Sequence, residues 1–104
     1  KAYHARFRRA VICDSRETVP ATLAIVWLAA GDPWQAVVLS ANFGRDTDTI
    51  GCMAGSICGA LAGLDDDNAA KIARLSPPVL ADQHRLAGEL VSLHRRKARA
   101  ETTA

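Results

Sequence analysis

The sequence predicts an all-α protein, because its apolar residues recur at helical spacing and no segment alternates as a half-buried strand would. Apolar residues make up 49% and charged residues 23% of the 104 residues, which is typical of a globular protein and not of a disordered one. The formal net charge of +2 excludes a strongly basic nucleic-acid-binding protein. Only five residues are aromatic (two Trp, two Phe and one Tyr), so we expect a core of small side chains and closely packed helices.

The cysteine content and the apolar runs favour a cytoplasmic protein. Three cysteines in no paired pattern do not make a disulfide framework. No charged segment followed by an apolar core opens the sequence, so we expect no signal peptide. The longest apolar runs, over residues 19–30 and 50–64, are shorter than the roughly 20 residues that cross a bilayer, and no membrane partner is expected.

The first predicted helix follows a basic segment, residues 1–16, which we interpret as an irregular loop or arm. Thr18 suits the N-cap, and Pro20 suits the first turn, where the N–H that proline lacks is not needed. Gly31 ends this helix. Its apolar stripe predicts a buried face made of Val19, Leu23, Val26, Trp27 and Ala30, which Ile25 and Leu28 widen.

The second predicted helix begins with Asp32 as the N-cap and Pro33 as the first helical residue. It ends near Asn42, and Gly44 permits the turn that follows. Its amphipathic stripe consists of Trp34, Val37, Val38 and Ala41.

A glycine-rich stretch over residues 50–63 predicts the central helix of a bundle. Each glycine in a helix interior costs about 1 kcal/mol relative to alanine, so close packing must compensate. We therefore expect one face of this helix to be buried, the face that carries Gly51, Gly55, Gly59 and Gly63.

Two further helices and a tail are predicted after the glycine-rich helix. Three consecutive aspartates, residues 65–67, open a short helix, and the prolines at 77–78 break it. A last helix covers about residues 80–96, and we expect residues 99–104 to be a disordered tail. The side chains expected to point inward from the last helix are Leu86, Leu90 and Leu93.

Two carboxylates and a hydroxyl group occur together just before the glycine-rich helix, in the sequence Asp46-Thr47-Asp48-Thr49. Oxygen ligands of this kind suit Mg²⁺, Mn²⁺ or Ca²⁺ and not zinc. Capping of the helix N-terminus by Asp46 or Asp48 explains the same residues, and the spacing by itself favours capping.

Two motifs together resemble the ADP-ribosylglycohydrolase family. Residues 42–51 (Asn-Phe-Gly-Arg-Asp-Thr-Asp-Thr-Ile-Gly) and 53–63 (Met-Ala-Gly-Ser-Ile-Cys-Gly-Ala-Leu-Ala-Gly) resemble its C-terminal motif, in which a glycine-rich turn leads into Asp-Thr-Asp-Thr and an Ile/Ala/Gly-rich helix. Residues 17–24 (Glu-Thr-Val-Pro-Ala-Thr-Leu-Ala) resemble its Glu-(Thr/Ser)-(Val/Leu)-Pro-Ala-Ala-Leu segment. The resemblance covers about residues 15–65.

The resemblance implies an all-α bundle around a pair of Mg²⁺ ions, sometimes replaced by Mn²⁺. The metal ligands implied for this chain are Asp46, Asp48 and Thr49, with Asp48 able to touch both ions. Thr47 has no ligand role in the family motif and is expected to cap the helix.

The turn before these ligands is expected to bind substrate through Asn42, Gly44 and Arg45. Arg45 stands where the family commonly has a second glycine. The sequence leaves two roles open for Arg45: contact with a substrate phosphate, or a structural ion pair.

Much of the family's apparatus does not occur in this sequence. The other metal ligands of the family come from an N-terminal Thr/Ser-Asp-Asp-type motif that is absent here, and the aspartates at 65–67 are too far from Asp48 to replace it. We therefore interpret residues 17–98 as the C-terminal helical part of a larger hydrolase domain. Its expected partner is the N-terminal portion of the same enzyme, in the same gene product or a companion chain.

The function that the resemblance implies is hydrolysis of an N- or O-glycosidic bond at the ribose of an ADP-ribosyl or nucleoside-type substrate, either a small molecule or linked to protein. This segment would contribute half of a binuclear metal site, and we expect no activity from it alone. No catalytic residue is identified, and nucleic acid is not an expected partner. The alternative is a non-catalytic helical interaction or structural module derived from the same fold.

Overall fold

The structure is a computed structural model that describes residues 2–75 and 77–103. Over these residues it is helical without strands, which confirms the all-α class. Contacts divide the chain into two units, residues 1–68 and residues 69–104. The helices are α1 (Ala2–Phe7), α2 (Ser15–Leu28), α3 (Pro33–Phe43), α4 (Thr47–Ala62), α5 (Asp66–Ala73) and α6 (Pro77–Thr103).

Helix α2 begins three residues before the predicted cap. Asp14 is the N-cap, and its side chain accepts a hydrogen bond from the Arg16 N–H at 2.9 Å. Thr18 is therefore inside the helix, and the predicted cap at this residue is wrong. Asp14 caps the helix because its carboxylate, one turn before Thr18, accepts a hydrogen bond from an N–H group of the first turn that has no partner within the helix. Pro20 also lies within α2 and not in its first turn.

The core of the first unit is built from small residues of three helices. α4 packs against both α2 and α3, so the prediction that it is the central helix is confirmed. Ile50 is the largest side chain that is fully buried. The buried apolar residues are Ala21 and Ile25 of α2, Ala29 at the C-cap of α2, Ala36 of α3, and Ile50, Ala54 and Cys58 of α4.

Several large apolar side chains of α2 lie outside this core. Val19, Leu23 and Trp27 are exposed, and Trp27 reaches 84% exposure, so the predicted buried face is wrong at these residues, whereas Val26 packs against the core and Ile25 is buried. Ala21 and Ala29 are buried beside Ile25, and their small side chains let α2 and α4 approach closely.

The close approach of α3 and α4 uses glycine in the first half of α4 only. A Cβ atom built on Gly55 would lie 3.2 Å from Cγ2 of Val37, and one on Gly51 would lie 3.5 Å from Cβ of Ser40. Gly59 has nothing within 4 Å, and Gly63 is the C-cap with φ of 72°. Gly51, Gly55 and Gly59 are half-buried and Gly63 is exposed, so the expected burial of the glycine face is wrong, although residues 51 and 55 do approach α3 closely.

Helix α3 likewise buries its small residues. Ala36 and Ser40 face the core, and the Ser40 hydroxyl is satisfied by donating to the Ala36 carbonyl at 2.7 Å. Val37, from the predicted stripe, is 46% exposed, so this stripe does not form the buried face. The predicted start is confirmed, since Asp32 caps the helix by accepting the Gln35 N–H at 2.7 Å.

The N-terminal segment is more regular than expected. Residues 2–7 form α1, so the prediction of an irregular arm over residues 1–16 is wrong for this part of it. Tyr3 packs against Phe43 with ring centroids 5.5 Å apart, and His4 stacks on Phe43 at 5.0 Å. This aromatic contact ties α1 to the end of α3.

The second unit is dominated by α6, which begins at Pro77, so the two prolines form its first turn and do not lie outside it. The helix continues to Thr103. The disordered tail expected over residues 99–104 is therefore wrong for 99–103, and Ala104 lies outside the described residues. None of the residues of α6 is buried, so Leu86, Leu90 and Leu93 are not inward-facing.

No helix among the residues that the structure describes is long and apolar enough to span a membrane.

Gly55→Leu should lower the free energy of unfolding by about 1–3 kcal/mol, because even its Cβ would crowd Val37. Gly59→Leu is the matched control on the same helix, where the added Cβ meets nothing within 4 Å. It should keep or raise stability, since leucine favours helix over glycine by up to about 1 kcal/mol. Urea unfolding measures both, and equal midpoints would contradict the close packing of α3 on α4.

Candidate metal centre

Asp46 occupies the turn between α3 and α4, at the N-cap position of α4. Its side chain makes no capping hydrogen bond, although its carbonyl accepts the Ile50 N–H at 3.1 Å. The residue is only 7% exposed, and its Oδ2 atom is buried without a hydrogen-bond partner. A buried carboxylate oxygen without a donor needs a proton or a cation to offset its charge.

Asp48 and Thr49 follow in the first turn of α4, and both are exposed. Contact with the Asp46 carboxyl, together with the N–H groups of Thr49 and of Asp48 itself, holds the pKa of Asp48 below its ordinary value of 3.8. Asp48 thus accepts N–H bonds of the first turn as a capping residue does, whereas Asp46 does not. Thr47 is the first helical residue, so the expectation that it caps α4 is wrong.

The residues present fit a hard divalent cation. Asp46 and Asp48 lie side by side and offer carboxylate oxygens, one of them buried and unsatisfied, and Thr49 adds a hydroxyl nearby in sequence. Such oxygen donors are the ligands that Mg²⁺ and Mn²⁺ prefer. Within residues 2–75 and 77–103, no three His, Cys, Asp or Glu side chains form a group that could hold a metal ion.

The other turn residues hold the backbone between α3 and α4. The Asn42 side chain donates to the Val38 carbonyl at 2.9 Å and so folds back onto its own helix. Gly44 has φ of 77°, a left-handed conformation that favours glycine. Substrate binding by Asn42 and Gly44 stays a prediction.

Arg45 forms the ion pair that the sequence left open. Its Nε donates to Oε1 of Glu17 at 2.5 Å, and its NH2 group donates to Oε2 of Glu17 at 2.9 Å and to the Arg9 carbonyl at 2.5 Å. Both side chains are largely buried, with 1% exposure for Glu17 and 15% for Arg45. Arg45 also has φ of 75°, which explains why glycine suits this position.

Glu17 is the functional candidate that the sequence analysis missed. Its carboxylate also accepts the Arg9 N–H at 2.5 Å, and Tyr3 donates its hydroxyl to the Glu17 carbonyl at 2.9 Å. A signal was available, because Glu17 is the first residue of the segment 17–24 that resembles the family, and the structure places it on the buried row of α2, four residues before Ala21. An acidic residue on that row must find a partner, and the sequence does not say which.

The aspartates at 65–67 lie at the start of α5. Asp65 accepts the Asn68 N–H at 2.7 Å, so it caps α5. This agrees with the interpretation of that run as a helix cap.

The ion pair predicts how stability depends on pH. Hydrogen bonding from Arg45, aided by the Arg9 N–H and opposed by burial, lowers the pKa of Glu17 from 4.5 to about 2. Because the folded pKa is the lower one, the stabilisation is fully present above pH 4.5 and is lost as the pH falls towards 2. Glu17→Gln should be less stable at pH 7 and should lose less stability between pH 4.5 and 2. Chemical unfolding at a series of pH values measures this, and parallel curves for the two proteins would contradict it.

Comparison with known proteins places the chain in a family. Residues 4–100 match the family model described as ADP-ribosylglycohydrolase. The chain is 43% identical over 81 residues to the uncharacterized protein YegU of Escherichia coli (strain K12), an alignment that covers 78% of this chain and 24% of that relative. No solved structure matches the chain. The match over nearly the whole chain shows that this protein belongs to the ADP-ribosylglycohydrolase family.

Proposed function

We propose that this chain is the metal-binding C-terminal part of an enzyme that hydrolyses a glycosidic bond at the ribose of an ADP-ribosyl or nucleoside-type substrate. Family membership supports the glycohydrolase class. The observation that carries the metal site is the buried Oδ2 of Asp46, which no hydrogen-bond donor satisfies. A divalent cation at this atom would supply the missing charge compensation.

Three residues of this chain would hold the ions, two Mg²⁺ or Mn²⁺ in the complete enzyme. Asp46 would offer an oxygen from the buried side, and the exposed Asp48 would offer oxygens towards solvent, where a second ion and the substrate have access. Thr49 would add its hydroxyl oxygen. When bound, the ions would orient ribose hydroxyls and stabilise negative charge that develops during hydrolysis.

The turn residues would have a supporting role at the same end of α4. Gly44 and Arg45 set the direction of the backbone that leads into Asp46, and Asn42 lies in the last turn of the preceding helix. With two guanidinium nitrogens of Arg45 committed to Glu17 and Arg9, contact with a substrate phosphate would use the remaining nitrogen. We propose no nucleophile or general base among these residues.

The partner we propose is the N-terminal portion of the same enzyme, which would supply the other metal ligands. The chain spans about a quarter of the curated relative that it matches. Large apolar side chains are exposed on α2 and α4, as expected of a surface that more protein covers. These side chains are Leu23, Trp27, Leu28 and Leu61.

The metal site is tested in the complete protein by titration with Mn²⁺, followed by electron paramagnetic resonance. Loss of an outer-shell partner weakens metal binding by about 10- to 100-fold. Because Asp46→Asn and Asp48→Asn each remove a ligand, each should weaken Mn²⁺ binding by more than this. Hydrolysis of an ADP-ribosyl substrate should fall together with Mn²⁺ affinity. Asp66→Asn, in the first turn of α5, is the matched control and should bind as the wild type does.

Unchanged binding in both Asp46→Asn and Asp48→Asn would overturn the assignment of these ligands. A folded complete protein that binds no Mn²⁺ would favour the alternative, a non-catalytic helical interaction or structural module.

The covered surface is tested by Trp27→Ala, a residue that is 84% exposed in this chain. In the complete protein we expect it to be buried, so truncation should lower the free energy of unfolding by about 3–5 kcal/mol. Val11→Ala, at another exposed apolar residue, should change it by about 0.5 kcal/mol or less. Denaturant unfolding measures both, and an equally small effect of Trp27→Ala would contradict the proposed partner surface.

A further inference from the structure

We propose that Glu17 is a positioning residue for the metal site, acting through Arg45 on the turn that carries Asp46. The contacts form a unit that we call the Glu17 clamp: the Glu17 carboxylate, the Arg45 guanidinium and the backbone of Arg9. This inference rests on the proposed metal-binding function of Asp46 and assigns that site a support from α2.

The turn that precedes Asp46 needs an external support. Gly44 and Arg45 are consecutive residues with positive φ, 77° and 75°. Glycine adopts this conformation readily, but an arginine is disfavoured in it because of its Cβ atom. The local sequence therefore does not hold the backbone at Arg45 in this conformation, and a tertiary contact must do so.

The Glu17 clamp supplies that contact from distant parts of the chain. Glu17 is 28 residues before Arg45 in sequence, and Arg9 is 36 residues before it. The planar guanidinium reaches both partners, with Nε and NH2 on the carboxylate and NH2 also on the Arg9 carbonyl. The Arg9 N–H returns a hydrogen bond to the same carboxylate, which closes the network.

Asp46 depends on this support because the local contact of its side chain is with the carboxyl group of Asp48, which is itself exposed. Asp46 makes no capping bond to α4, and its Oδ2 accepts no hydrogen bond. The backbone that leads from Arg45 into Asp46 therefore contributes to the position of this carboxylate. Since ligand oxygens must be placed well for Mg²⁺ or Mn²⁺, loosening the Glu17 clamp should weaken metal binding without removing a ligand.

The experiment measures Mn²⁺ affinity of the complete protein by electron paramagnetic resonance, with thermal unfolding of each variant. Glu17→Gln should bind Mn²⁺ about 10- to 100-fold more weakly. The matched control is Asp14→Asn on the same helix, which removes the cap of α2 and the ion pair of Asp14 with Arg16 at 2.7 Å. It should lower the unfolding temperature and leave Mn²⁺ affinity unchanged.

A second variant, Arg45→Lys, keeps the positive charge but cannot reach both the carboxylate and the Arg9 carbonyl with a planar group. It should also weaken Mn²⁺ binding, and it replaces Glu17→Gln if that variant does not fold. In the double variant the two losses should not add, because both changes break one unit.

The outcomes separate this inference from the proposed function. Wild-type affinity for Mn²⁺ in folded Glu17→Gln or Arg45→Lys would overturn the clamp and leave the metal site standing. An equal loss of affinity in Asp14→Asn would also overturn it, since general destabilisation would then explain the effect. A wild-type protein that binds no Mn²⁺ would overturn the proposed function, and the clamp with it.

Discussion

The close approach of α4 to α2 and α3 is the constraint on which the first unit depends. Small residues predominate at these contacts, and the buried set contains Ala21, Ala36 and Ala54 with Gly55 against Val37. Only one large aliphatic side chain of α4, Ile50, is fully buried among them. The same constraint explains why Leu23 and Trp27 of α2 stay outside: a bulky side chain between these helices would separate them.

This packing also builds the candidate metal centre. When α4 is held against α2, its N-terminus lies near the start of α2, and Arg45 can reach Glu17. The ion pair is buried, and its carboxylate is satisfied by hydrogen bonds from Arg45 and Arg9, which is the condition under which such a pair is tolerated. Asp46 is the contrasting case next to it, since it is buried and its Oδ2 has no partner. Two buried acidic residues thus differ in their surroundings: Glu17 is compensated by arginine, and Asp46 has the unsatisfied oxygen to which we propose that a cation binds.

The exposed apolar side chains complete this view of the first unit. Trp27, Leu23 and Leu61 would be poor surface residues for a protein that acts alone. Their exposure agrees with the proposal that further protein covers this surface. The chain itself matches about a quarter of the length of its relative. The proposed N-terminal portion would account for both the exposed apolar surface and the site with two carboxylates.

The all-α class, the glycine-rich central helix, the start of α3 at Asp32 and the family could be predicted from the sequence, because periodicity, cap residues and motifs are local features. The packing of the helices selects which face of α2 is buried, since both faces are apolar and only the approach of α4 favours the row of Ala21, Ile25 and Ala29. It also decided that Asp46 does not cap α4 and that Arg45 pairs with Glu17, because partners 28 residues apart are set by packing and not by spacing. The two chain ends were predicted wrongly for a related reason. Their helices, α1 and the end of α6, carry weak local signals, and in α1 the aromatic contact with Phe43 adds what the local sequence lacks.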